Sequence, residues 1–132
     1  MNAEEVRDFC LSLKNTTESF PFDEVSLVFK VENKMYLLIS LDATEPNIAV
    51  KCDPEKAETL RTHYSAVTPA YHFNKKYWNN IYMNKDMSDY MIKQWIKHSY
   101  YEVVSKLPKK ILDQYTEELN TYSNITDITN EK

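Results

Sequence analysis

Six contact-making side chains, Tyr71, His72, Asn74, Lys75, Lys76 and Trp78, fall within eight consecutive positions. The wider stretch 70–82 holds five aromatics, adding Phe73, Tyr77 and Tyr82 to Tyr71 and Trp78, together with three asparagines. Flat rings beside ammonium groups can stack on bases, meet phosphates, or wall a pocket for a small ligand. The plainer alternative is that the rings form the core side of a strand–turn–strand unit, because large aromatics favour buried surface. Lys93 and Lys97 sit one helical turn apart further on and present a second basic pair on an outward face.

Covalent chemistry has less to work with. His63, His72 and His98 are scattered, and none has a partner at the spacing of a zinc motif. Cys10 falls on the inner stripe of a helix and Cys52 on the inward phase of a strand, both settings for an inert thiol. The chain has no glycine, so a Walker A loop, a dinucleotide fingerprint and a nucleophile elbow are all unavailable. A binding module rather than an enzyme is expected, with no catalytic residue, metal or cofactor.

At 132 residues, with 42% hydrophobic and 27% charged side chains, the chain is expected to form one globular domain without disulfides. No apolar run approaches the ~20 residues of a membrane span, and the acidic start does not resemble a secretory leader. A cytoplasmic location with reduced cysteines follows as an expectation. The net charge of −4 hides an asymmetry. Residues 1–59 carry six Lys/Arg against twelve Asp/Glu, residues 60–112 nine against three, and residues 113–132 one against five. A basic middle segment can orient a charged partner if the fold gathers it on one side, and is neutralised if the segments interleave. The isoelectric point near 5.4 argues against a strongly basic nucleic-acid footprint.

The elements that must position these residues are legible. Asn2 caps a helix with Val6, Phe9, Cys10 and Leu13 on one stripe, where Glu4, Glu5 and Asp8 suit the dipole. A connector over 16–23 holds Phe20-Pro21-Phe22. Alternation over 27–31 and 35–41, with Met35, Leu37, Ile39 and Leu41 in phase, predicts a hairpin turning at Glu32-Asn33. A third strand covers 48–52, and Asp53-Pro54 starts a helix. Strands over 67–73 and 78–83 flank the turn 74–77, and Asn84 begins the next turn. Ser88 caps a long helix that Pro108 ends. The order α-β-β-β-α-β-β-α predicts an α+β fold, an antiparallel sheet of about five strands with helices packed on one side. Residues 1–112 form the single domain, and 113–132 form a C-terminal extension, partly helical or frayed.

Four blocks resemble the MmcQ/YjbR family of small bacterial proteins. They are Thr17-Glu18-Ser19-Phe20-Pro21-Phe22 with Leu27-Val28-Phe29-Lys30-Val31, then Lys51-Cys52-Asp53-Pro54, then Tyr71-His72-Phe73-Asn74-Lys75-Lys76-Tyr77-Trp78-Asn79, and His98-Ser99-Tyr100 leading to Leu107-Pro108-Lys109-Lys110. The resemblance spans about residues 3–112 and implies a frataxin-like α+β fold with DNA as a partner. It carries a motif onto Tyr71, His72, Asn74, Lys75, Lys76, Trp78 and Asn79, and no catalytic role. Ala70 and Asn33 stand where the family often has glycine. The expected function is a non-enzymatic module contacting DNA through the aromatic and basic turn. The alternative is a protein or small-ligand module using the same aromatic patch. A continuous positive face bearing Lys75, Lys76, Lys93 and Lys97 favours the first, and an apolar pocket rimmed by Tyr71 and His72 the second.

Overall fold

Side chains set three of the helix starts. In the computed structural model, which describes residues 1–123, the amides of Glu5, Lys56 and Met91 donate to Asn2 Oδ1, Asp53 Oδ2 and Ser88 Oγ, at 2.9, 3.2 and 3.2 Å. Each bond supplies an acceptor for one of the orphan N–H donors of a helix start. They open α1 (Ala3–Leu11), α2 (Pro54–His63) and α3 (Asp89–Val104). The strands are β1 (Thr16–Ser19), β2 (Ser26–Val31), β3 (Lys34–Ser40), β4 (Asn47–Lys51), β5 (Val67–Pro69) and β6 (Trp78–Tyr82). Two short helices, α4 (Lys109–Leu112) and α5 (Thr116–Tyr122), follow α3 around a 3₁₀ turn at Asp113–Tyr115.

The strands form one sheet in the order β1-β2-β3-β4-β6-β5, with every neighbouring pair antiparallel. Strand side chains alternate in direction, so the sheet has two different faces. Leu27, Phe29, Leu37, Ile39, Ile48 and Ile81 point to one face and join Val6, Ile92, Trp95 and Ile96 in the core. Nine of the sixteen residues of α3 are buried, which makes it the central helix of that layer. The other face carries Val28, Leu38, Ala49 and Asn80, aligned across β2, β3, β4 and β6.

The hairpin turns where expected. Glu32 and Asn33 take φ of 49° and 62°, the left-handed pair of a type I′ turn, and Asn84 takes 64° in the turn before α3. A β-branched side chain tolerates that conformation poorly. Asn33→Val is expected to cost about 1–2 kcal/mol, read as a lower urea midpoint with an unchanged slope. An unchanged midpoint would mean that the turn does not need this backbone.

Three expectations need correction. The sheet has six strands rather than about five, because residues 16–19, expected within a connector, pair with β2 as its edge strand. Thr-Thr-Glu-Ser has no apolar alternation to announce a strand; it is fixed instead by the Arg7–Glu18 fork, two bonds of 2.7 Å. The expected inward phase of Met35 and Leu41 fails as well. Phe29 pairs with Leu37 and Lys30 with Met35, which leaves Tyr36 as a bulge residue. Tyr36 is fully buried and packs edge-on against Tyr100 at 5.5 Å, while Leu41 is exposed. Finally, the strand expected over 67–73 stops at Pro69, after which the Phe73 amide closes a turn onto Ala70 O.

Beyond α3, Tyr115 is fully buried, donates to Glu32 Oε2 and accepts from Asn15 Nδ2. Residues 124–132 of the polar tail lie outside the described residues.

Candidate binding groove

The face of the sheet opposite α3 is the floor of a groove of about 690 Å³. Leu38 and Ala49 sit at its centre, with Asn47, Asn80 and Tyr82 from β4 and β6 beside them. Two loops form the walls, and the β3–β4 loop adds Asp42 and Ala43. One carries Phe22, 66% exposed, and Asp23; the other carries Tyr71, 67% exposed, with His72 and Phe73.

Both walls are held by their own hydrogen bonds. Asp23 Oδ1 accepts from the amides of Val25 and Ser26 at 2.9 and 2.7 Å, and Oδ2 accepts from Ser26 Oγ at 3.1 Å. The Val25 and Ser26 amides hold the Asp23 carboxyl below its usual range. In the second wall the Tyr77 and Trp78 amides both donate to Asn74 O, and Asn74 Oδ1 accepts from Lys76 N at 3.0 Å. This is the local side-chain turn that asparagine favours, and it does without glycine. Phe73 stacks on Trp78 with centroids 4.9 Å apart, so the loop's inner ring packs onto β6.

From behind, α2 clamps the same loop. Arg61 donates Nε to Asn79 Oδ1 at 2.6 Å, and its terminal nitrogen to the carbonyls of Lys75 and Trp78. The fully buried Asn79 passes the contact on, donating Nδ2 to Ala57 O at 3.2 Å.

The sequence candidates therefore divide. Tyr71 and His72 line the groove, Asn74 shapes its wall, and Trp78 braces that wall through Phe73. Lys75 and Lys76 are exposed in the same loop, with their ammonium groups 4.7 and 5.6 Å from the rings of Tyr71 and Tyr77. Lys93 and Lys97 belong instead to the helix layer, 5.6 and 5.9 Å from the Phe9 ring, and Lys97 also reaches Tyr122. The four lysines form two separate pairs rather than one basic face.

Sequence reasoning did not pick out Asp23, Asp42, Asn47 or Asn80 as groove residues. The outward strand phase of Asn47 and Asn80 and the exposed Phe20-Pro21-Phe22 before Asp23 were the available signals.

A YjbR family model matches residues 11–102. The chain belongs to the YjbR family. It is 28% identical to the uncharacterised protein YjbR of Escherichia coli (strain K12) over 110 residues, 83% of this chain and 93% of that one. The uncharacterised protein YbdF of Escherichia coli O157:H7 is 31% identical over 107 residues, 81% and 88% of the two chains. Among solved structures, Deinococcus radiodurans protein DR2400 aligns with a TM-score of 0.81 at 29% identity, covering 86% of each chain. A Pseudomonas syringae protein shares the fold, with a TM-score of 0.65 at 24% identity over 75% of this chain and 96% of that one.

Within this YjbR-family chain, the block His98-Ser99-Tyr100 is scaffolding. The Asp53 amide donates to His98 Nε2 at 3.1 Å, and the Lys51 amide donates to Ser99 Oγ at 2.8 Å. Ser99 Oγ in turn donates to the carbonyl of the bulge residue Tyr36, and Tyr100 donates to Lys14 O at 2.7 Å. Burial, helped by Lys56, pushes the His98 imidazole down to about 4, so it stays a neutral acceptor at neutral pH. Burial likewise pushes both thiols, Cys10 and Cys52, up to about 12.

Proposed function

We propose that this YjbR-family protein is a non-enzymatic binding module that takes a small ligand in the groove on the open sheet face. The observation that carries the reading is the groove itself, a mixed floor of Leu38, Ala49, Asn47 and Asn80 between two hydrogen-bonded walls, with Tyr71 and His72 at the rim. Its volume suits a small molecule, and its polar groups converge beside Leu38, Ala49 and aromatic rings, as in such sites. The groove offers recognition groups rather than an activated nucleophile. Ser26 Oγ donates to a turn carboxylate, and the two thiols lie buried elsewhere. Among the described residues no helix is long and apolar enough to cross a membrane, and no group of His, Cys, Asp or Glu could hold a metal ion. A cytoplasmic location belongs to the same reading, supported by two free cysteines.

One observation favours a second reading, contact with DNA: Lys75 and Lys76 are exposed on one loop beside aromatic rings. Two titrations of ¹⁵N-labelled protein separate the readings, one with a small-fragment set and one with duplex and single-stranded DNA at low and moderate salt. The expected result is fragment-induced shifts at Leu38, Ala49, Asn47 and Asn80, with no salt-dependent DNA binding. DNA binding that loses about two units of salt slope when Lys75 and Lys76 become alanine, with a silent groove, would replace the first reading by the second.

A further inference from the structure

We infer that the groove's ligand is an organic cation with an apolar body, and that Lys75 is its intramolecular rival. The inference rests on the small-ligand reading above and names the chemistry of that ligand.

The groove's lining is one-sided in charge. Asp23 and Asp42 contribute carboxylates, and among the described residues no lysine or arginine contributes to it. The Asp23 carboxylate is fixed in place by three hydrogen bonds from its own turn, whereas Asp42 lines the groove on the β3–β4 loop. An anion placed here would meet two carboxylates and no cationic side chain of the described lining. A cation meets the carboxylates and the rings together, since an ammonium within about 6 Å of a ring centroid is attracted to its face.

The chain already makes such contacts at the groove. Two lining tyrosines carry ammonium groups of the protein itself: Lys75 Nζ lies 4.7 Å from the Tyr71 ring, and Lys85 Nζ lies 5.0 Å from the Tyr82 ring. The two lysines are not equivalent. Lys85 is also paired with Glu45 at 3.4 Å, which compensates its charge locally. Lys75 has no ion-pair partner among the described residues and is exposed on the loop tip. Its long stem can swing away without disturbing the loop, whose shape comes from backbone and Asn74 bonds. An incoming cation displaces it from Tyr71, and until then its charge repels that cation.

Three probes with one phenyl body test this: benzylammonium, benzyl alcohol and benzoate, each titrated while the side-chain amides of Asn47 and Asn80 are followed. Benzylammonium should bind at least about tenfold more tightly than the other two. Asp42→Asn should remove most of that preference and leave benzyl alcohol unchanged. Lys75→Met keeps the stem but not the charge, and should raise benzylammonium affinity about threefold or more. Benzyl alcohol or benzoate binding as well as benzylammonium would overturn the inference and leave the small-ligand reading standing. Lower cation affinity in Lys75→Met would overturn the rival role. Amides that stay unmoved by all three probes at millimolar concentration would sink the inference and count against the small-ligand reading itself, which the fragment titration decides.

Discussion

Arg61→Ala is expected to cost about 3 kcal/mol of stability and to loosen the wall of the groove at residues 70–77. The guanidinium bonds the side chain of Asn79 and the carbonyls of Lys75 and Trp78. Asn79 is fully buried, so truncation strands its Oδ1 away from water. Hydrogen bonds to charged groups contribute about 1.5–3 kcal/mol, and an orphaned buried acceptor costs about 1–3 kcal/mol. Arg61→Lys keeps the charge but not the fork, and should recover less than half of the loss. Urea unfolding measures the energy, and amide exchange at Tyr77 and Trp78 reads the loop. A loss below about 1 kcal/mol with unchanged exchange would show that the loop is held by its own turns alone.

The second large effect is an acid-induced loss of stability that begins before the carboxylates respond. The His98 imidazole is held down to about 4, first by burial and then by Lys56, against an ordinary 6.5. In the folded protein it accepts from the Asp53 amide and cannot be protonated without breaking that bond. The unfolded chain therefore takes up this proton first as pH falls. Stability is complete above about 6.5, declines through the interval, and levels off near 4, with a total loss of about 3 kcal/mol. The carboxyls of Glu18 and Asp23, held low by the Arg7 side chain and by the Val25 and Ser26 amides, add their losses only below their ordinary 4.5 and 3.8. Stability measured across pH should therefore fall in two stages. In His98→Gln the upper stage should vanish while the lower one stays, and an upper stage that survives would assign it to another group.

Much of the scaffold was legible because its causes are local. Asn2, Asp53 and Ser88 bond amides three residues on. Glu32-Asn33 takes the left-handed turn that no glycine is present to take. The apolar stripe of α3 is buried as its spacing requires. Each is settled within a few residues of itself, so the sequence by itself determined the helix starts, the central hairpin and the α+β class.

The rest was decided by partners far along the chain. Thr16–Ser19 becomes a strand because β2 offers an edge and Arg7 holds Glu18, and neither cause appears in its own residue pattern. Tyr36 breaks the alternation of β3 because Ser99, on a helix formed much later, bonds its carbonyl while Tyr100 packs on its ring. The groove exists because β6 pairs with β4, setting Asn80 beside Ala49, and because two loops remote in sequence rise over the same face. The aromatic stretch marked one wall, but sequence could not separate Lys75 and Lys76 from Lys93 and Lys97. Only the side of the sheet to which each element packs does that, and side-of-sheet is a property of tertiary packing that spacing along one segment does not encode.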